Sequence, residues 1–183
     1  MRVISGKAKG QPLKSLDGRN TRPTTDRIKE SMFNLVQQRV YGKAVLDLFS
    51  GSGALGIEAL SRGAESCSFV DNDKGSIRII KSNLEKTRLM DTGEVYLGEY
   101  KEVLAKLKKQ SKSFDLVFLD PPYGKELVKQ SIFMLLDRAM LNQRALVVTE
   151  QGVKESPLEV PEPLVLWKER CYGNTVIRIY EHT

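Results

Sequence analysis

Residues 45–56 read Val45-Leu-Asp-Leu-Phe-Ser-Gly-Ser-Gly-Ala-Leu-Gly56. An apolar run typical of a buried strand leads into glycines at positions 51, 53 and 56, and a helical pattern follows. This G-x-G-x-x-G spacing lets the backbone approach a ligand closely, and Asp71, 20 residues beyond Gly51, is placed to bind ribose hydroxyls. The stretch therefore predicts a nucleoside-containing ligand at the carboxyl end of a strand.

Outward from this loop, strands alternate with helices. The predicted strands are residues 44–49, 67–70, 94–97, 114–119, 145–149, 164–171 and 175–180. The predicted helices between them are residues 54–61, 74–88, 102–109 and about 126–138. Such alternation favours an α/β fold with a parallel sheet covered on both faces, and Gly173-Asn174 predicts a closing antiparallel hairpin. We expect a mostly parallel seven-stranded sheet.

Positive charge is concentrated at the N-terminus. The 183 residues hold 29 Lys and Arg against 23 Asp and Glu, a net charge of +6, and residues 1–43 alone hold ten basic and three acidic residues. We expect a small hairpin near the start, then a helix opening within residues 22–27, with Arg27 and Lys29 on its outer face. The predicted division is a basic arm and helix over 1–43 and a ligand-binding domain over 44–183. The arm suits a polyanion, although a solvated segment without a partner explains the charge equally well.

The glycine loop alone is compatible with two ligands, a dinucleotide and S-adenosylmethionine (SAM). Asp47 lies four residues before Gly51, so its carboxylate is expected beside the loop. That charge would repel a pyrophosphate, whereas it would suit the cationic methionyl end of SAM. A carboxylate that only orders loop amides is compatible with either ligand. Asp47 therefore favours SAM without deciding the choice.

The fourth predicted strand ends in Asp120-Pro-Pro-Tyr123. Ligands of open α/β sheets bind at the carboxyl ends of strands, so this turn is expected to face the glycine loop. The two prolines lack backbone donors, Asp120 adds an acceptor, and Tyr123 offers an aromatic face for a base. This combination suits an exocyclic amino group, held by its N–H bonds while its nitrogen attacks an activated methyl.

Composition excludes several classes of protein. Hydrophobic residues make up 40% and charged residues 28% of the chain, which is typical of neither a disordered nor a membrane protein. The first residues lack the apolar core of a signal peptide, so we expect a cytoplasmic protein. Two cysteines and one histidine argue against a zinc site, and we expect no metal.

The motifs together resemble a known family. Asp120-Pro-Pro-Tyr with the glycine loop is similar to class I SAM-dependent amino-group methyltransferases. The stretches Arg22-Pro-Thr-Thr-Asp-Arg-Ile-Lys-Glu-Ser-Met-Phe-Asn34 and Asp47–Ala64 closely resemble the RsmD family, bacterial enzymes that methylate the guanine 2-amino group in 16S ribosomal RNA. The similarity runs from Arg2 to about Tyr180. It implies a Rossmann-like class I methyltransferase fold.

The resemblance implies a SAM site. In the family pattern, Asp47, Gly51 and Gly53 line the methionyl and ribose side, Asp71 binds the ribose hydroxyls, and Asn72 lies next to the adenine. Gly98-Glu99-Tyr100 stands where the family usually has Gly-Asp-Ala. Glu99 can still accept from the adenine amino group, although its side chain is longer, and Tyr100 would flank the cofactor.

The resemblance also implies a target site and an RNA-binding surface. The residues that would hold and stack the guanine are Asp120, Pro121, Pro122 and Tyr123. The residues expected near the RNA are Arg22, Thr24, Asp26 and Arg27. The expected partner is 16S rRNA within a 30S subunit or an assembly intermediate, the expected oligomeric state is a monomer, and transfer is expected to be direct.

Two other hypotheses stay open on the sequence. Asp-Pro-Pro-Tyr is shared with adenine-amino methyltransferases, so adenine in DNA or a base in another RNA is an alternative target. A dinucleotide-binding or non-catalytic module could use the same glycine loop.

Overall fold

The computed structural model describes residues 1–15, 26–121, 124–155 and 157–183. The strands are β1 (Ala44–Leu48), β2 (Ser66–Asp71), β3 (Gly93–Leu97), β4 (Phe114–Leu119), β5 (Leu141–Gly152), β6 (Leu164–Tyr172) and β7 (Thr175–His182). The helices are α1 (Asp26–Val36), α2 (Ala54–Ser61), α3 (Lys74–Thr87), α4 (Tyr100–Lys109) and α5 (Gly124–Asp137).

The seven strands form one sheet in the order β3-β2-β1-β4-β5-β7-β6. Strands β1 to β5 pair parallel with one another, and β7 pairs antiparallel with both β5 and β6. The predicted mostly parallel sheet with a C-terminal hairpin is confirmed. Because β1 to β4 are parallel, their carboxyl ends share one edge of the sheet, which is the edge where the sequence places its candidate site.

Helices cover both faces of the sheet and create two apolar clusters. Side chains alternate along a strand, so Val45 packs in the cluster under α1, α2 and α3, while Leu46 and Leu48 pack in the cluster under α4 and α5. All three side chains are fully buried. Asp47 falls on the same face as Val45, which directs its carboxylate toward α2.

The N-terminal arm forms the predicted hairpin. Arg2 pairs antiparallel with Pro12, and the amide of Val3 donates to the carbonyl of Gln11 at 2.9 Å. Val3, Ala8 and Leu13 are buried in the same apolar cluster as α1. The division of the chain at residue 43 stays a prediction, and the arm shares its core with the sheet.

The predicted outer face of α1 is wrong at Lys29. Its side chain is fully buried, its Nζ lies 3.1 Å from Oε2 of Glu58 in α2, and it also donates to the carbonyl of Arg2 at 2.6 Å. Burial lowers the pKa of Lys29, and the nearby Glu58 carboxylate opposes that shift. Lys29 therefore joins α1, α2 and the arm instead of facing solvent.

Candidate active site

The loop after β1 has an unusual backbone that the glycines make possible. Phe49, Gly51 and Gly53 have φ values of 69°, 55° and 75°. The Oγ of Ser50 donates to the carbonyl of Asp47 and accepts from the amide of Val70 at 2.9 Å. The amides of Phe49 and Ser50 both donate to the carbonyl of Val70 at 3.0 Å. The loop is therefore fixed to the end of β2.

The third glycine is required by close packing. A Cβ at Gly56 would lie 2.3 Å from the Phe69 ring and 2.6 Å from Sγ of Cys67, so no larger residue fits without a shift of β2. Cys67 is fully buried, and burial raises the pKa of its thiol, which suits a packing role. Helix α2 thus lies directly against β2.

Asp47 supports this loop from beneath. Its side chain is 3% exposed, and its Oδ2 accepts from the amide of Gly56 at 2.9 Å. Burial raises the pKa of Asp47 to about 7, and the nearby acidic groups Asp120 and Asp71 act in the same direction. A cation placed beside Asp47 would favour its charged form.

Asp71 ends β2 and organises the turn around it. Its Oδ2 accepts from the amide of Gly51 at 2.8 Å and its Oδ1 from the amide of Asp73 at 2.9 Å. Each carboxylate oxygen can accept a second hydrogen bond, so the side chain retains capacity for ligand hydroxyls. The carbonyl of Asp71 accepts from the amide of Gly98 at 3.0 Å, which joins this turn to the one after β3.

The structure brings Asn72 and Glu99 together. Nδ2 of Asn72 donates to Oε1 of Glu99 at 2.8 Å on the exposed surface. Tyr100 is 7% exposed, its ring centroid lies 5.3 Å from that of Phe49, and its hydroxyl donates to Oε1 of Gln130 at 2.9 Å. Tyr100 therefore packs between the glycine loop and α5, beneath the site.

Asp120 follows β4 with an exposed side chain, and Pro121 is half-buried. Asp120 acts electrostatically on Asp47, as expected for residues at the same edge of adjacent strands. Pro122 and Tyr123 lie outside the described residues. We call Asp47, Asp71, Glu99 and Asp120 the acidic site.

The N-terminal candidates are described only in part. Arg22 and Thr24 lie outside the described residues, whereas Asp26 and Arg27 open α1. Arg27 is exposed. Asp26 accepts from the amide of Arg2 at 3.2 Å and lies 3.7 Å from its Nε, so Asp26 contacts the arm.

Sequence reasoning missed Phe49, Ser50 and Gln130, which shape the site without belonging to its acidic set. Ser50 carries a signal, since a hydroxyl at a strand end can satisfy backbone groups of a tight loop. Gln130 lies in the middle of α5, and its contact with Tyr100 has no local signature.

The charge of the acidic site favours one of the two candidate nucleoside ligands. The charged groups that raise the pKa of Asp47 are both carboxylates, so a pyrophosphate would meet like charge there. A ligand with a cationic centre and ribose hydroxyls matches these acceptors.

A family model described as Conserved hypothetical protein 95 matches residues 1–181. The chain belongs to this family. YlbH of Bacillus subtilis (strain 168) is 42% identical over 99% of this chain and 98% of that protein. Ribosomal RNA small subunit methyltransferase D of Haemophilus influenzae is 35% identical over 100% of this chain and 94% of that enzyme. The similarity to the RsmD family is thereby confirmed.

The solved structure of yhhF from Escherichia coli superimposes with a TM-score of 0.87 at 31% identity, covering 100% of this chain and 97% of that one. With the strand order above, this likeness confirms the Rossmann-like class I methyltransferase fold. Among the described residues, none of the helices has the length and apolar character needed to cross a bilayer.

Proposed function

We propose that this protein transfers a methyl group from SAM to the exocyclic 2-amino group of a guanine in 16S ribosomal RNA. The observation that carries the proposal is the acidic site, whose members lie at or just beyond the carboxyl ends of four parallel strands at one edge of the sheet. Family membership supports it, because relatives that span the whole chain bear the name of a small-subunit rRNA methyltransferase.

The cofactor half of the proposal rests on Asp47, Asp71 and the Asn72–Glu99 pair. SAM supplies a methyl group activated by a sulfonium. Asp71 holds the ribose hydroxyls, Glu99 accepts from the adenine amino group, and Asp47 faces the cationic methionyl end with Gly51 and Gly53. The raised pKa of Asp47 fits this role, since a buried carboxylate with acidic neighbours gains from a positive partner.

The target half rests on Asp120 and the carbonyl of Pro121. A guanine amino group has two N–H bonds, and these two acceptors hold it with its nitrogen directed toward the methyl. As the N–CH3 bond formed and the S–CH3 bond of SAM broke to leave S-adenosylhomocysteine, the nitrogen would gain positive charge that the Asp120 carboxylate stabilises, and the methylated nitrogen would then release its proton to water. Asp120 therefore acts through position and charge, and no covalent enzyme intermediate is needed.

The choice of RNA as substrate rests on the family and on the positive net charge of the chain. The target base must leave its stacked context to reach the acidic site. A 30S subunit or an assembly intermediate is the proposed substrate and a monomer the proposed active form, with Pro122, Tyr123, Arg22 and Thr24 assigned to base and RNA contacts by the family pattern alone.

The test measures tritiated methyl transfer from SAM to 30S subunits, deproteinised 16S rRNA and duplex DNA. The rRNA and subunits come from a strain that lacks this protein. Nuclease digestion and mass spectrometry then identify the product. We expect 2-methylguanosine at one site in 16S rRNA.

Two outcomes would contradict the proposal. Labelled 6-methyladenine in DNA or in another RNA would assign the same chemistry to the alternative target. Calorimetry supplies the second test: binding of NAD without binding of S-adenosylhomocysteine would replace the methyltransferase with a dinucleotide-binding module.

A further inference from the structure

Part of the positive charge of the N-terminal arm and helix is engaged in ion pairs within the described part of the protein. Ion pairs join basic residues of the first 43 positions to acidic partners, and these pairs are Arg2–Asp26, Lys29–Glu58, Arg39–Glu181 and Lys43–Asp115. A paired cation contributes little to an external field. A count of charge over residues 1–43 therefore does not by itself locate where a polyanion binds.

The outer face of α3, in contrast, carries basic residues that are exposed to solvent. Lys74, Arg78 and Lys81 follow the i, i+4, i+7 spacing of one helical face, and Lys86 lies one turn beyond Ser82. All four are exposed, and Glu85 is the one acidic residue between Lys74 and Thr87. Within the described ranges, none of these four side chains forms an ion pair.

The arm adds Lys14 to this face. The amide of Lys14 donates to Oδ1 of Asn83 at 2.9 Å, and Nδ2 of Asn83 donates back to the carbonyl of Lys14 at 3.0 Å. Nζ of Lys14 donates to Oγ of Ser82 at 3.0 Å. We call Lys14, Lys74, Arg78, Lys81 and Lys86 the basic face.

Asn83 also connects the basic face to the glycine loop. Its Nδ2 donates to the carbonyl of Ser52 at 3.0 Å, and its side chain is fully buried. Helix α3 begins three residues after Asp71, so the basic face starts beside the acidic site. At 1.5 Å per residue, it extends about 18 Å along the helix from there.

We propose that the basic face binds phosphates of the RNA that flanks the target nucleotide. The choice of RNA as the polymer rests on the proposed function, whereas the location of the binding surface rests on the structure. A protein-docking face would present aromatic or apolar side chains at its centre, and a membrane-binding helix would present an apolar stripe. The apolar stripe of α3 is instead buried in the core, with Ile77, Ile80 and Leu84. Exposed Lys and Arg for which the described residues show no ion pair match a phosphate backbone.

The experiment measures binding of deproteinised 16S rRNA and of 30S subunits at several salt concentrations. The variant is Arg78→Ala with Lys81→Ala. Each lost phosphate contact lowers the slope of log K against log salt by about 0.7 to 0.9, so the slope should fall by roughly 1.5 and the affinity near 0.1 M salt by at least about tenfold. The matched control is Lys108→Ala with Lys109→Ala, which removes the same charge from α4 on the opposite face of the sheet and should leave the slope unchanged.

Calorimetry with S-adenosylhomocysteine should give the same affinity for wild type and both variants, since neither pair belongs to the acidic site. An unchanged slope for the α3 variant on both substrates would overturn the proposal. A loss confined to intact 30S subunits would assign the face to a ribosomal protein and overturn it too. Failure of the proposed function is a separate result, seen as an absence of methyl transfer by the wild-type protein to any rRNA.

Discussion

The acidic site and the basic face are neighbours with opposite charge and opposite construction. The acidic site is built at the ends of strands and in the loops that follow them, and backbone amides hold two of its carboxylates, those of Asp47 (from Gly56) and Asp71 (from Gly51). The basic face is built on one regular helix with Lys14 of the arm beside it, and its long side chains are exposed. One site is fixed before any ligand arrives, whereas the other can adapt to an irregular polymer.

Helix α3 joins the two regions. Asp73 caps its first turn, accepting from the amide of Ser76 at 2.7 Å, and Lys74 begins the basic face immediately afterwards. Carboxylates repel phosphates, so a nucleic acid backbone is kept away from the acidic site and toward α3. Of the parts of a nucleic acid, only an uncharged base would then suit the acidic site, which is the selectivity that a base-modifying enzyme requires.

The largest expected effect comes from Asp120→Ala. The variant should lower the rate of methyl transfer to 16S rRNA by roughly 10²- to 10³-fold, because it loses the charge that stabilises the amino nitrogen. Binding of S-adenosylhomocysteine and the salt slope of rRNA binding should both be retained. Asp137→Ala, an exposed acid at the end of α5, is the control and should keep the wild-type rate. Near-wild-type activity in the Asp120 variant would remove this residue from catalysis.

The second prediction compares substitutions at two glycines of the loop that supports the acidic site. Gly56→Ala places a methyl group 2.3 Å from Phe69 and should lower the free energy of unfolding by about 1–3 kcal/mol. It should also weaken the binding of S-adenosylhomocysteine, because the amide of Gly56 donates to the Asp47 carboxylate and holds it in place. Gly51→Ala meets nothing within 4 Å and has only the cost of its φ of 55°, about 1 kcal/mol. Chemical denaturation measures both variants; equal destabilisation would show that α2 is not packed as closely as described.

The third effect is a pH dependence of stability due to Asp47. Its pKa is raised by burial to about 7, against an unfolded value of 3.8. Between these two values the native state holds a proton that the unfolded chain has lost, so the free energy of unfolding falls as pH rises through the window. Thermal unfolding between pH 5 and pH 8 should show this fall in wild type and in Asp137→Asn, and a smaller fall in Asp47→Asn. Identical profiles for wild type and Asp47→Asn would place the Asp47 pKa near its ordinary value.

The elements of the site were predictable from sequence because their signals are local. The glycine spacing, the acid that ends β2 and the strand–helix alternation each occupy a few consecutive residues, and the boundaries of α2 and β4 match the predicted ones. Strand β5 was predicted over 145–149 but spans Leu141–Gly152. Its start was missed because residues 142–144 are polar and Arg144 has a φ of 63°, which interrupts the regular strand backbone. An irregular strand start leaves no alternating pattern to detect.

The charge assignment was less predictable because it depends on distant partners. Lys29 lies on a helix whose neighbouring residues suggest an exposed face, and its burial follows from Glu58, which is far along the chain. Glu58 itself accepts from the amides of Ile4 and Ser5 and from Nε of Arg62. Such a fully bonded carboxylate offsets part of the cost of burying a lysine. A net charge counted along the sequence therefore overstates the charge that residues 1–43 present to solvent. It also understates the exposed positive charge of α3.

The smallest expected effect is a gain in RNA binding. Glu85→Lys replaces the single acid of α3 and should raise the salt slope of rRNA binding by up to about 0.9, with a modest gain in affinity. Asp137→Lys makes the same change of charge on α5, across the sheet, and should leave the slope at its wild-type value because no RNA contact is expected there. A charge added to either helix changes the net charge equally, so net charge alone predicts the same result for both. A larger slope in Glu85→Lys alone would show that RNA binding depends on the position of charge on α3, and equal slopes would show that it depends on total charge.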